Sequence, residues 1–297
     1  MIVLVSNETE DQVGVDLLSS IEGVEVVTYD PDQPLPAEKR SAEVLIPPYS
    51  RSHRPIPLLK QLPNLRMVQL LSAGSDEWAA DVSSHVTLST AKGAHAGPVS
   101  EWVLSAILCL YRQWPALVRY QDNETWAKRR VDADTLDRKR ALIVGAGHIG
   151  TAVAERLAPF GATATLVART ARGDVHAARE IPDLLPDHQI VVITAPLTDE
   201  TTGVVDKRFL AGMPDGALLI NAGRGKIVDT DALVSELQSR RIRAALDVTD
   251  PEPPPKGHPL WTCPGVIISP HMARTVPGTN SLCYAVAAEQ ITAALGS

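Results

Sequence analysis

The sequence predicts an α/β protein built on doubly wound parallel sheets, and three observations predict it. Residues 142–144 (LIV) read as a short buried strand that runs into Gly145-x-Gly147-x-x-Gly150, then a helix of small and apolar residues up to Phe160, then another strand at 163–168. The chain opens on the same arrangement, with an apolar strand at 2–5, helical spacing at 13–21 and a strand at 24–28. Late in the chain, apolar runs at 190–193, 217–220, 243–246 and 266–268 recur between helical stretches. Strands that alternate with helices in this way pair in parallel. No repeat at solenoid spacing competes with that reading.

Length and composition set the frame. At 297 residues the chain is long for one core and is expected to form two domains, with 44% hydrophobic residues to fill them. The net charge of -7 leaves no general basic surface, which argues against nucleic acid and anionic membranes as partners. The opening MIVLVSNETED has no basic segment before its apolar run and reads as a strand, not a signal peptide. The longest apolar run, 103–111, is far too short to span a bilayer. Cys109, Cys263 and Cys283 are scattered and form no CxxC, which fits a cytoplasmic protein without disulfides or a zinc site.

Taken in order, the strand at 44–46 ends abruptly at Pro47-Pro48, which puts Tyr49 and Arg51 at its C-terminal end. Open α/β sheets hold ligands on that side, although an exposed loop has the same signature. A short helix at 58–62 and a strand at 66–71 lead into Ser72-Ala73-Gly74-Ser75-Asp76. Such a turn presents several backbone N–H groups with little side chain in the way, and suits a carboxylate as well as it suits a plain turn. A strand at 86–89 closes the first half, and the glycine-bearing stretch 91–98 reads as a linker. One long helix is expected from 99 to about 121, with Trp102, Leu104, Ile107, Leu108, Tyr111 and Trp114 giving it an apolar surface for another domain or a second subunit. A final helix at about 280–295 is able to cover either half.

The three glycines of the central motif divide the work of binding a dinucleotide. Gly145 permits the tight strand-to-helix turn, Gly147 lets the backbone approach a pyrophosphate, and Gly150 lets helix and strand pack closely. The helix start at His148 and Ile149 then offers N–H groups and a positive dipole end to that anion. Polar residues stand at the ends of three late strands: Asn221-Ala222-Gly223-Arg224-Gly225, Asp247 with Glu252 beyond it, and Ser269-Pro270-His271. In a doubly wound sheet these ends converge on the crevice where the reactive end of a dinucleotide lies. A histidine there protonates a carbonyl oxygen as hydride arrives at its carbon, while an arginine holds a neighbouring carboxylate in its bidentate fork. A carboxylate beside the imidazole favours its protonated form. Each residue alone has a bland alternative, as a surface ion pair, a loop charge or a packed ring. Three at three strand ends are poorly explained by chance.

These residues resemble the NAD(P)-dependent D-2-hydroxyacid dehydrogenases over essentially the whole chain, most densely over 145–273. The pattern looks like GxGxIG at 145–150, PLTxxT at 196–201, NxxRG at 221–225, DVxxxEPxP at 247–255 and SPH at 269–271. The resemblance implies a Rossmann cofactor domain, 95–271, inserted in a discontinuous flavodoxin-like substrate domain made of 1–94 and 272–297. It implies a homodimer through the long helix after Val99. It also implies that Arg224 binds the substrate carboxylate, that His271 is the general acid or base with Glu252 as its partner, and that Asp247 holds the nicotinamide carboxamide. Ser72, Ala73 and Gly74 would bind the substrate, with Tyr49, Arg51 and His95 as further pocket residues. Ala195, Pro196, Thr201, Ala222, Gly223 and Ala273 would line the cofactor beside the glycine loop. The expected activity is hydride transfer between the cofactor and a small 2-oxo acid, glyoxylate or hydroxypyruvate. Two other readings share the fold. One is a formate dehydrogenase-like activity, whose members carry glutamine where Glu252 stands, and the other is a dinucleotide-sensing protein similar to the transcriptional corepressors, which keep all three polar residues.

The chain departs from the common pattern in two places. His95 stands where many relatives carry asparagine, and no acid ends the strand at 163–168. An NAD site usually places Asp or Glu about 20 residues beyond the glycine loop, to accept hydrogen bonds from the adenosine ribose. Ala168 occupies that place. An acid there would repel a 2′-phosphate, whereas Arg169-Thr170-Ala171-Arg172 supplies two guanidinium groups and a hydroxyl to one. NADP(H) is therefore expected in preference to NAD(H). The alternative is a pair of solvated arginines, with Asp174 near enough in sequence to pair with one of them.

Overall fold

The computed structural model describes residues 1–296. The chain divides into two compact units, Met1–His95 with the C-terminal segment from Val276, and Ala96–Thr275. Each is organised on its own parallel sheet.

In the first unit, β1 (Ile2–Ser6), α1 (Gln12–Ser19), β2 (Glu25–Tyr29), β3 (Val44–Ile46), β4 (Met67–Gln69) and β5 (Thr87–Ser89) follow one another. The strands lie in the order β2-β1-β3-β4-β5, the flavodoxin-like order. Their continuous apolar runs are explained by burial on both faces. Successive side chains point to opposite sides, so Val3, Val5, Val44, Ile46 and Met67 pack with Tyr284, Ala287 and Ile291 of the C-terminal helix Thr279–Leu295. Leu4, Leu45 and Val68 pack on the other side with Leu58, Leu62 and Trp78. The last helix, which the sequence left open to either half, thus covers the N-terminal sheet. Tyr284 locks it there: its hydroxyl donates to Asp11 Oδ1 at 3.0 Å, and its ring takes the space a Cβ would need on Gly14 of α1.

The second unit begins with α2 (Ala96–Tyr111) and α3 (Trp114–Asp122), then alternates β6 (Arg140–Val144), α4 (His148–Leu157), β7 (Thr163–Ala168), β8 (His176–Ala177), α5 (Ile181–Leu184), β9 (Ile190–Ile193), α6 (Lys207–Gly212), β10 (Leu218–Asn221), α7 (Thr230–Gln238), β11 (Arg243–Leu246) and β12 (Val266–Ile268). The order β12-β11-β10-β9-β6-β7-β8 is all parallel. Counted from β6 it is the Rossmann order with one further strand at the edge. The period of two again sorts the core, with Leu142, Val144, Val191, Ile193, Leu219 and Leu246 on one face and Ala141, Ile143, Ile190, Val192, Leu218 and Ile220 on the other.

Two sequence expectations are corrected here. The stretch read as a linker, 91–98, does hold the boundary between the two units, after His95, but as regular structure and not as a loop: a 3-10 turn, Lys92–His95, leads directly into α2, and Gly97 and Pro98 belong to its first turn, where a missing N–H costs nothing. The single helix expected over 99–121 is two helices. Continuing it would require Pro115 to donate to the Tyr111 carbonyl, which it has no N–H to do, and its ring would clash there. The chain instead breaks at Gln113, whose φ of 59° is left-handed, and Tyr111 O accepts from the amide of Asp134 at 2.8 Å. No helix among the described residues is long and apolar enough to cross a membrane.

Candidate active site

The strand order of the second unit reverses at β6, with β7 on one side and β9 on the other, which makes the C-terminal end of β6 a topological switch point. The glycine loop stands there. Gly145 has φ 121°, and a Cβ on it would meet Ala195 N at 2.6 Å and Thr194 Oγ1 at 2.7 Å. A Cβ on Gly150 would overlap the Gly145 carbonyl, so α4 lies directly on the turn. A Cβ on Gly147, in contrast, would meet nothing within 4 Å. The loop is therefore tight at both ends and open in the middle, in front of the α4 N-terminus with its unpaired first-turn N–H groups at His148 and Ile149. That cradle fits a dinucleotide pyrophosphate.

The end of β7 is less simple than two free arginines. Arg172 Nη2 donates to Ala146 O at 2.9 Å, inside the glycine loop. Arg169 pairs at 2.7 Å with Glu200, a residue the sequence reading did not single out, and not with Asp174. Thr170 is exposed at the end of β7. Thr201 Oγ1 donates to Pro196 O at 2.7 Å and accepts from the Thr198 amide at 2.8 Å, so the threonines of the PLTxxT stretch fold that loop onto itself.

At the end of β10, Asn221 shapes the next loop from both sides: its Oδ1 accepts from Gly223 N at 3.1 Å, and its Nδ2 donates to Arg224 O at 3.0 Å. Ala222 hydrogen-bonds back to Ile193 O at 3.0 Å, and a Cβ on Gly223 would stand 2.9 Å from Ala195 O. Arg224 is half-buried, with Nη1 donating to Gly223 O at 3.0 Å. A Cβ on Gly225 would overlap the Thr249 carbonyl. The arginine's turn is thus pressed against the segment that carries Glu252.

Asp247, at the end of β11, is 4% exposed, and its carboxylate accepts four hydrogen bonds from the loop after β12. They come from Ser269 Oγ at 2.6 Å, Met272 N at 2.9 Å and Ala273 N at 3.2 Å to Oδ1, and from Ala273 N at 3.0 Å to Oδ2. His271 N also donates to Asp247 O at 2.8 Å. Held this way, His271 adopts φ 51°, and its Nδ1 lies 2.7 Å from Glu252 Oε1. Burial pushes the Glu252 carboxyl up, but the hydrogen bond and charge of His271, the Thr249 amide and the Arg224 charge outweigh it and hold the group below its ordinary range. Arg224, Glu252 and His271 are therefore one electrostatic cluster. The sequence reading missed the loop-building parts of Asp247 and Asn221, although both residues stood in the quoted motifs.

The remaining candidates lie in the first unit, after its parallel strands. Tyr49 N donates to Asp11 Oδ1 at 3.1 Å, and Arg51 sits in an exposed turn with φ 53°. Ser72 Oγ donates to Gly74 O at 2.6 Å across Ala73, so the hydroxyl closes its own turn. His95 is 2% exposed, with Nε2 at 3.1 Å from Cys283 Sγ.

Comparison with known proteins gives the family. The model of the D-isomer specific 2-hydroxyacid dehydrogenase NAD-binding domain matches residues 104–273. The chain is 29% identical to human glyoxylate reductase/hydroxypyruvate reductase over 293 residues, covering 91% of this chain and 88% of the relative. It is 32% identical to glyoxylate reductase of Aeropyrum pernix over 303 residues, covering 94% and 88%. A D-isomer specific 2-hydroxyacid dehydrogenase from Xanthobacter autotrophicus Py2, solved with NADPH and MES, superposes with a TM-score of 0.81 at 28% identity, covering 99% of this chain and 95% of that one. With the Rossmann sheet, the glycine cradle and the histidine–carboxylate pair, these matches make the chain a member of the D-isomer specific 2-hydroxyacid dehydrogenases, a family of NAD(P)-dependent oxidoreductases.

Proposed function

We propose that this protein reduces a small 2-oxo acid with NADP(H), and that glyoxylate and hydroxypyruvate are the substrates to test first. The observation that carries the reading is the 2.7 Å contact between His271 Nδ1 and Glu252 Oε1 on a loop pinned by Asp247. With Nδ1 donating to the carboxylate, the protonated ring has Nε2–H to give to the oxygen of a reacting carbonyl. Arg224 holds the substrate's carboxylate, while the hydrogen bond and charge of His271, with a smaller part from Arg224, keep Glu252 ionised. When bound, the nicotinamide cofactor supplies the hydride. Gly145, Gly147, His148, Ile149 and Gly150 would hold its pyrophosphate, with Ala195, Pro196, Thr201, Ala222, Gly223 and Ala273 along its length and Asp247 Oδ2 toward the carboxamide. Arg169, Thr170 and Arg172 would receive the 2′-phosphate. We read Ser72, Ala73, Gly74, Tyr49, Arg51 and His95 as the substrate-binding contribution of the first unit. The reading includes a homodimer through α2, supported by Trp114 and Val118 standing exposed on the adjoining α3. It also includes a cytoplasmic location, supported by three cysteines that form no disulfide.

The test is the loss of nicotinamide absorbance with a panel of 2-oxo acids, run with NADPH and with NADH. Turnover of glyoxylate or hydroxypyruvate supports the proposal. Dinucleotide binding with no turnover across the panel would make the protein a sensor, and reduction of the oxidised cofactor by formate would make it formate dehydrogenase-like.

A further inference from the structure

The Arg169–Glu200 ion pair crosses the switch point. Arg169 is the first residue after β7 and Glu200 lies in the loop after β9, and these strands flank β6 with its glycine loop. The pair closes at 2.7 Å. The backbone of Glu200 is set by the folded PLTxxT stretch, in which Thr202 N donates to Thr198 O at 2.9 Å and Thr201 Oγ1 to Pro196 O at 2.7 Å. On the far side, Arg172 is fastened to the glycine loop at Ala146 O. The ion pair therefore brings a carboxylate to the residue next to Ala168, from the loop of another strand.

We infer that Glu200 is a specificity-determining residue for the adenosine end of the cofactor: its carboxylate accepts hydrogen bonds from the ribose hydroxyls of NAD(H), and competes with the 2′-phosphate of NADP(H) for Arg169. The inference rests on the reading that Arg169 receives that phosphate. A carboxylate is a strong acceptor for a ribose hydroxyl, and the same charge repels a phosphate dianion placed where the hydroxyl stood. The side chains are 80% and 58% exposed, so water and salt screen the pair and it is weak enough for a phosphate to open. Arg169 then favours one cofactor and Glu200 the other, and the net preference is the difference between the two effects.

Adenosine 2′,5′-bisphosphate and 5′-AMP isolate this end of the site. They are titrated calorimetrically against the parent protein, Glu200→Gln and Arg169→Ala, with NADPH and NADH binding followed by nicotinamide fluorescence. Glu200→Gln keeps the size and polarity of the side chain and removes its charge. It should bind the bisphosphate and NADPH about 5-fold more tightly, the upper worth of an exposed ion pair. NADH should bind it about 10-fold more weakly, as expected for the loss of one charge-assisted hydrogen bond. An unchanged NADPH to NADH ratio, or equal weakening of both, overturns the inference. Arg169→Ala reports the underlying reading by itself: undiminished affinity for the bisphosphate in that variant overturns the Arg169 assignment, whereas loss there with an unmoved ratio in Glu200→Gln overturns the role of Glu200 alone.

Discussion

His271 meets Glu252 at 2.7 Å from a left-handed backbone, φ 51°, a conformation uncommon for a non-glycine residue and held here by its surroundings. The enforcing group is Asp247, which gathers Ser269, Met272 and Ala273 around one carboxylate. The histidine is thus positioned by one acid and partnered by another.

Replacing His271 by Ala should lower kcat for reduction by roughly 10²- to 10⁴-fold, the usual worth of a positioned general acid. Glu252→Gln should cost less and move the high-pH limb of the reduction profile to lower pH, because the protonated ring loses its anionic neighbour. The stability effect has the opposite window. Glu252 is held below its ordinary value of 4.5, so its contribution is present above that pH and is lost as pH falls through the lowered value. A rate profile in Glu252→Gln that superposes on the parent's would remove the carboxylate from the proton path.

Asp247→Ala should damage the loop more than any single donor variant does. It leaves the buried amide of Ala273 without its acceptor, worth about 1–3 kcal/mol when unpaired, together with the part-buried amide of Met272 and hydroxyl of Ser269, whereas Ser269→Ala removes one donor only. Urea unfolding of the two variants gives the comparison, and equal midpoints would show that the loop does not depend on Asp247.

Arg224→Lys keeps the charge and loses the fork, so KM for a 2-oxo acid should rise with the charge conserved. The control is the parent protein with simple ketones. Equal turnover of ketones and 2-oxo acids would mean that Arg224 reads no carboxylate.

Asp11 makes the stability of the first unit depend on pH. Burial pushes its carboxyl up from 3.8 to about 6, against the Tyr284 hydroxyl, the Tyr49 amide and Ser6, while Glu8 adds to the rise. The folded state then holds a proton that the unfolded chain has released, so stability falls as pH rises between about 4 and 6. The loss is on the order of 2–3 kcal/mol and persists at neutral pH. Asp11→Asn keeps an acceptor for the Tyr49 amide and should abolish that slope. Denaturant midpoints for both proteins across the window check it, and parallel curves would assign the slope elsewhere.

What the sequence determined by itself was everything carried by local periodicity and by turns. The strand at 163–168, the glycine loop and the runs at 190–193, 243–246 and 266–268 are short-range patterns, and the structure has them at those residues. The two parallel-sheet units follow from the alternation of those patterns. The order NxxRG, EPxP, SPH was legible too, because strand ends in a doubly wound sheet leave polar residues few other places to be. The break at Gln113 was weakly written, since the apolar positions on both sides suit one helix and only Pro115 objects. Pairings between distant residues were not written at all. Nothing near Arg169 names Glu200 as its partner, nothing near Asp247 names the amides of Met272 and Ala273, and nothing near Asp11 names Tyr284. Those contacts depend on which strands lie side by side and which helix covers which sheet, and a buried carboxylate takes whatever donors that packing brings to it.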